Sequence, residues 1–463
     1  MSHASEVRSN RSPDSQPETS ESLRGGTAEV LKLALPVVLT HLSITAMQIV
    51  DSVMVGQLGS PQLASVGFGG VWMWTLVCFF VGTTSCVQTF VSQNYGAGNH
   101  RECGEWAWQA IYALVPAGLV LSATLFFGAG WLIGFLQPDA LIAPFAIDYM
   151  EMRSLGCPGL IAAVAMSSFF RGIGDTRTPL YTCIVANLVN AVLDYGLIFG
   201  KLGLPELGVA GAGFATSVAE WVNFLGLFIC FRRTRVAETF VTKAAALNRS
   251  KIRRLMRMGL PVGTQWWLEM ASFALFLTLV AQMGDAPMAA SQAFISLLSI
   301  SFMQAYGLGI AVSTLVGRYI GAKDLAAAER SFYSGVRLCL CIAGVVGLLL
   351  VFASEPLLRL YTDDPRVLEL GRPLMLLGAV YQVFDALAII ADSGLRGAGD
   401  TRWPMIVRFL LSWFLFLPTA YILGISLDGG LTWAWVGGLL YIVVLTSVLI
   451  GRFRGGRWKL MEI

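Results

Sequence analysis

Six carboxylates stand inside long apolar stretches of this sequence, namely Asp51, Asp194, Glu220, Glu269, Asp385 and Asp392, with His41 among them. An ionisable group in such a setting is expensive, and it marks an ion or substrate path more often than a packing device. The chemistry open to these carboxylates is reversible capture of a proton or a cation. Asn187, Asn190 and Asp194 recur at i, i+3 and i+7, one stripe of a helix, and Tyr381, Asp385 and Asp392 at i, i+4 and i+11, another. Asp51 lies 15 residues after Pro36 and Asp194 lies 15 residues after Pro179. Both therefore sit roughly 22 Å from the same membrane surface, at one level. Glu269, 8 residues after Pro261, and Asp385, 11 residues before Arg396, stand at roughly 12 and 16 Å. Two separate centres are expected. Glu269, Asp385 and Tyr381 offer two carboxylates and a phenol, an oxygen set that suits a hard monovalent cation, so they form a candidate sodium site. Asp51, Asp194 and Asn190 form a candidate proton site, because two neighbouring carboxylates favour a proton on one of them. Simpler roles compete at three positions: capping of a nearby turn for Asp392, pairing with a neighbouring helix for Glu220, and a structural hydrogen bond for His41.

Such groups must be held by membrane helices. Of 463 residues 56% are apolar and 13% charged, with a mean hydropathy of +0.67, whereas soluble domains carry roughly 25% charged residues. The net charge of +3 is too small for a nucleic-acid partner. The apolar runs are continuous rather than alternating in ~10-residue segments, which excludes a β-barrel. An all-α membrane protein of twelve spans is predicted, over about 29–57, 66–93, 106–134, 145–170, 179–200, 208–231, 258–284, 289–317, 330–353, 368–393, 404–424 and 430–451. Lys and Arg gather in the 232–257 connection, in the tail after the last span and in alternate loops, which puts both termini in the cytoplasm. Residues 1–26 are polar and read as a disordered cytoplasmic tail, with no signal peptide. The rest divides into an N-lobe (27–232), a cytoplasmic linker (233–257), a C-lobe (258–452) and a C-terminal tail (453–463). The eight cysteines show no metal or disulfide spacing and are expected to be buried small hydrophobes.

The two lobes are copies. Pro36 recurs as Pro261, Gly59 as Gly284, Gly96 as Gly321, and the segment from Arg171 to Pro179 (RGIGDTRTP) as Arg396 to Pro404 (RGAGDTRWP), each at an offset of 225. Six spans per copy make parallel repeats related by a pseudo-two-fold axis along the membrane normal, a transporter architecture with its pathway at the repeat interface. The RGxGDTR segments suit a tight turn and a helix start; without a preceding strand or a following GK[ST] they are not phosphate loops. The carboxylates are not duplicated. Asp51, Asp194, Glu269 and Asp385 have Phe276, Thr419, Ile44 and Leu160 as counterparts.

Twelve spans in two lobes, the first-span signature Ile49-Val50-Asp51-Ser52-Val53-Met54-Val55-Gly56 and the RGxGDT turns resemble the multidrug and toxic compound extrusion (MATE) family over about residues 30–450. The resemblance implies an antiporter of the bacterial inner membrane that expels cationic, amphipathic compounds as sodium ions or protons enter, with no cofactor beyond that ion; because the lobes' contacts should be intramolecular, a monomer is expected. It places Asp51 with Asn190, Asp194 and the hydroxyl of Thr216 in a proton network. It likens Glu269, Tyr381 and Asp385 to the cation-coupling residues of the NorM branch. Ser167 departs from members that carry Asn four residues before the loop arginine. Trp266, Phe273 and Phe384 could offer aromatic faces to an organic cation, against plain packing as the competing role. A lipid-linked precursor flippase of related two-lobe design would favour Arg and Lys at mid-depth, where acids stand instead. A membrane enzyme would need a catalytic cluster, and only His3, His41 and His100 occur.

Overall fold

A chain in lipid must close its backbone hydrogen bonds within each segment, and the computed structural model, which describes residues 24–240 and 242–461, is helical throughout its regular elements. The predicted tail lies, up to residue 23, outside the described residues. In chain order the helices are α1 (Thr27–Gly56), α2 (Ser60–Ser85), α3 (Val87–Gly96), α4 (His100–Leu136), α5 (Ala143–Ser154), α6 (Cys157–Ile173), α7 (Arg177–Phe199), α8 (Val209–Arg232), α9 (Thr234–Phe240), α10 (Arg249–Ala281), α11 (Asp285–Gly321), α12 (Leu325–Phe352), α13 (Ser354–Arg359), α14 (Pro365–Gly397), α15 (Arg402–Leu411), α16 (Leu417–Tyr421) and α17 (Gly430–Arg454).

Ten spans are long and apolar enough to cross a bilayer, with α2 and α3 counted as one and α15 and α16 as one; α5 and α6, bent by 46°, form an eleventh. α10, which covers the predicted seventh span, falls short of that apolarity, its run interrupted by Gln265 and Glu269. Ten or eleven of the twelve predicted spans are thus long and apolar enough to cross a bilayer, with local differences. The second breaks at Cys86, the fourth bends between Ser154 and Cys157, and the eleventh carries π-helical turns at Ser412–Phe416 and Ile422–Ser426. The 233–257 linker is partly helical, holding α9 and the first turns of α10. It lies against α4, where Gln109 donates to Ala246 O (2.9 Å) and Tyr112 to Ala245 O (3.0 Å). Among the cysteines, Cys341 is exposed and Cys230 half-buried, contrary to the expectation that all are buried.

The lobes exchange the inner halves of their first helices. Val30, Leu33 and Ala34 of α1 belong to the C-lobe core, while Val55, farther along α1, packs with Ile198 and Val209 of the N-lobe. In the same way Leu255, Met258 and Val262 of α10 sit in the N-lobe core, and Phe276 and Val280 in the C-lobe core. Close backbone approach permits this crossing. A Cβ on Gly263 would stand 2.3 Å from Phe79 O, and one on Gly82 3.0 Å from Gly263 Cα.

The repeated RGxGDTR turns close one end of the molecule. In each, Gly174 or Gly399 is left-handed (φ 87° and 93°). Asp175 N reaches back to Phe170 O, and Asp400 N to Leu395 O, both at 2.9 Å, the helix-ending pattern for which glycine is suited. Donors from the opposite lobe meet these turns in pseudo-symmetric pairs. Thr89 Oγ1 donates to Arg396 O (3.0 Å) and its counterpart Thr314 Oγ1 to Arg171 O (3.3 Å). Gln93 Nε2 donates to Gly397 O (3.0 Å) and its counterpart Arg318 to Ile173 O (3.1 Å). Between them α3 and α11 cross at Gly96 and Gly321, where a Cβ would fall within 2 Å of Arg318 O and Gln93 O. The first and last described stretches lie at this end, where Arg330 donates to Arg24 O and Lys459 pairs with Glu329. Among the described residues no hydrogen bond joins the lobes' opposite halves. There Thr45, Gln48, Ser52 and Val53 of α1, with Leu63 of α2, line an open groove.

Candidate functional site

The N-lobe centre forms where α1 meets α7. Asn190 Nδ2 donates to Asp51 Oδ1 at 3.1 Å and also to Asp194 Oδ2. The amide of Asn190 thus bridges the two carboxyls. Asp194 is fully buried and its Oδ1 has no hydrogen-bond partner among the described residues. One turn inward, Asn187 donates to Ser43 Oγ at 2.7 Å, so the polar stripe of α7 faces α1 along its length. Thr216, the expected fourth member, stays apart: its hydroxyl donates to Ala212 O of its own helix (2.9 Å).

Arg153, at the end of α5, was not singled out from the sequence. It binds Glu220 of α8 with two hydrogen bonds, 2.8 and 2.5 Å. Glu220 is therefore a pairing residue, as the simpler reading had it. The break between α5 and α6 makes room for the pair, since a Cβ on Gly156 would stand 2.2 Å from Glu220 Oε2. Arg153 is also within electrostatic reach of Asp51, so the dyad has a positive neighbour that is already committed to a carboxylate.

The C-lobe centre is organised by a second unforeseen arginine. Arg408 of α15 donates to Glu269 Oε1 of α10 at 2.6 Å. Arg408 is 8% exposed, while the Glu269 side chain keeps 42% of its surface open. Asp385 of α14 lies within electrostatic reach of both, and Tyr441 of α17 is a further electrostatic neighbour of Arg408. Tyr381, one turn from Asp385, also neighbours Glu269 and sets its ring edge to Trp435 (6.3 Å). Glu269, Asp385 and Tyr381 are thus electrostatic neighbours in the C-lobe, with Arg408 bound to the glutamate. Asp392 does not join them. It pairs with Arg396 (2.5 Å), beside the turn it was expected to cap.

Trp266 reaches across the lobe boundary, packing on the N-lobe clusters and edge-on to Tyr306 (6.2 Å). Phe273 and Phe384 pack against the C-lobe core, the competing role for them. His41 meets Tyr306 edge to face at 5.0 Å, across the same boundary.

The fold has counterparts among known proteins. The MatE family model matches residues 36–196 and 261–422, once in each lobe and starting at the two equivalent prolines. A probable multidrug resistance protein NorM of Thermotoga maritima is 28% identical over 435 residues, 93% of each chain. The multidrug resistance protein NorM of Vibrio vulnificus is 30% identical over 407 residues, 86% of this chain and 88% of its own. A multidrug resistance MATE family transporter solved in an outward-facing conformation shares the fold, with a TM-score of 0.85 at 18% identity over 96% of this chain and 100% of that one. This chain belongs to the MatE family, whose members are membrane transporters rather than enzymes.

Proposed function

We propose that the protein exports cationic, amphipathic compounds in exchange for protons, as a monomer in a bacterial cytoplasmic membrane with both termini in the cytoplasm. The relatives' names support the multidrug class, and the Lys and Arg distribution supports the orientation. With that orientation the closed end is the inner one, and the lobes open outward. The observation that carries proton coupling is the Asp51–Asn190–Asp194 cluster: two carboxyls bridged by one amide, one of them fully buried, favour a proton on one of the two. With the proton lost, the dyad gains a negative charge and attracts an organic cation. Protonation from outside removes that attraction and releases the cargo. The lobes then rock about the two centres, which stay near mid-membrane.

Sodium is the second reading, carried by Glu269, Asp385 and Tyr381. Their oxygens are of the right kind, but Arg408 already binds Glu269, so a sodium ion would have to displace or share with a resident cation. In this proposal the C-lobe centre holds cargo charge, and Arg408 is released from Glu269 as an organic cation takes its place. Purified protein in liposomes, loaded with a dye cation and given either an imposed pH gradient without sodium or a sodium gradient at uniform pH, separates the two. Export under the pH gradient, lost in Asp51→Asn, is expected. Export driven by sodium alone would overturn proton coupling.

A further inference from the structure

Two arginines stand side by side at the inner end without an anion. Thr401 Oγ1, just before α15, donates to Met258 O of α10 at 3.0 Å. Arg257 and Arg402 each lie one residue from this contact, so they stand at one level. Both are exposed, and among the described residues neither takes part in a hydrogen bond or an ion pair. The acids nearest to them in sequence, Asp400 and Glu269, are bound to Arg452 (2.9 Å) and Arg408 (2.6 Å). Leu260 follows Arg257 at i+3, and Ile406 and Leu410 follow Arg402 at i+4 and i+8, so each set shares a helix face. All three are exposed. The outer surface thus changes from charged to apolar along both helices at once, as it does where a helix passes from the headgroup layer into hydrocarbon.

The other lobe repeats the pattern. At the offset of 225, Arg257 and Arg402 have Lys32 and Arg177 as counterparts, and Leu260, Ile406 and Leu410 have Leu35, Tyr181 and Val185, all of them exposed. The duplication keeps a cation at both places, whereas it keeps none of the carboxylates of the two centres. A cation that only orients the chain can stand anywhere in a loop. A pair fixed on adjoining helices beside an apolar strip suits one molecule with an anion at one end and hydrocarbon at the other.

We propose that Arg257 and Arg402 clamp the phosphate of an acidic phospholipid in the leaflet at this end, with its acyl chains along Leu260, Ile406 and Leu410. Guanidinium forks match phosphate oxygens, and basic side chains at a membrane surface attract anionic lipid. Met258 packs in the N-lobe core and Thr401 belongs to the C-lobe turn, so the lipid sits across the lobe boundary. The site depends on neither the cargo nor the coupling ion.

The test is photo-crosslinking in phosphatidylcholine proteoliposomes that carry a trace of phosphatidylglycerol or phosphatidylcholine with a diazirine in the acyl chain, the adducts being mapped by peptide mass spectrometry. Phosphatidylglycerol is expected to label the Leu260 and Ile406–Leu410 peptides at least about tenfold more than phosphatidylcholine does. Arg257→Gln with Arg402→Gln should remove that preference, while adducts on the Leu35 and Tyr181 peptides of the other lobe persist and report a folded protein. Arg257→Lys with Arg402→Lys should keep most of it. Equal labelling by the two lipids in the wild-type protein overturns the site without recourse to any variant, as does a preference that survives the Gln pair. Loss of the adducts in excess soluble glycerol phosphate would overturn the lipid in favour of a free phosphate ester.

Discussion

Arg153 and Arg408 each bind a glutamate from another helix, yet their partners differ in exposure, and so the consequences of losing them differ. Glu220 is enclosed, whereas the Glu269 side chain is 42% open. Removing one member of a fully buried pair costs roughly 3–5 kcal/mol, because a charge is left without compensation. For Arg408→Ala we expect a lower figure, about 2–3 kcal/mol, since solvent reaches Glu269. Arg408→Met combined with Glu269→Gln should recover most of it. Thermal unfolding of the purified variants measures both; equal losses in the single and double variants would show that the pair itself is not what matters. In the N-lobe, Asp51→Asn and Asp194→Asn should each reduce pH-driven export at least about tenfold, and the double change should add little, because residues that share one proton act as a unit. Multiplying losses would refute the shared proton. The acids were legible in the sequence because a carboxylate in an apolar run stands out. The arginines were equally present, but Lys and Arg are read first as loop markers. A pair formed by Glu269 and Arg408, 139 residues apart, leaves no local signal.

The spans were legible as elements, and their interruptions were less so. The bend between α5 and α6 had a signal in Gly156 and Pro158, since proline disfavours helix in the residue before it. The break at Cys86 had none: no Gly or Pro marks it, and the two pieces part because α2 packs on α10 while α3 crosses α11. Where helix backbones touch, the constraint is the absence of a side chain. Gly263→Leu should force α2 and α10 apart, lowering the melting temperature by several degrees and abolishing export. Gly130→Ala, on α4 with nothing within 4 Å of the added atom, should change neither. Differential scanning fluorimetry on the two proteins decides this, and equal behaviour would mean that the crossing tolerates a gap.

At the scale of the molecule, duplication was visible in the offset of 225, but its use was not. The sequence marked the RGxGDTR segments as turns. The structure shows them as the receiving half of an inner-end closure, with Thr89, Gln93, Thr314 and Arg318 as donors. A hydrogen bond is worth about 1 kcal/mol net, and one from a charged donor roughly 1.5–3. Gln93→Ala with Arg318→Ala should therefore shift the equilibrium toward an open inner end by more than tenfold. In a protein whose sole cysteine is Cys86, now buried at that interface, labelling by a membrane-impermeant maleimide from the cytoplasmic face should accelerate accordingly. An unaltered rate would show that the closure rests on the glycine crossing alone.

The donors all end on peptide oxygens, and a peptide offers the same oxygen whatever residue carries it. The two turns have drifted where side chains are not used, with Ile173 facing Ala398 and Thr178 facing Trp403, while the threonines that reach for them are the same in both halves. A substitution within either turn that spares its glycines is thus a poor way to jam the transporter ajar. The fragile positions are the four reaching side chains and the two glycines beneath them, and a compound meant to wedge the inner door would do best to occupy the carbonyls themselves.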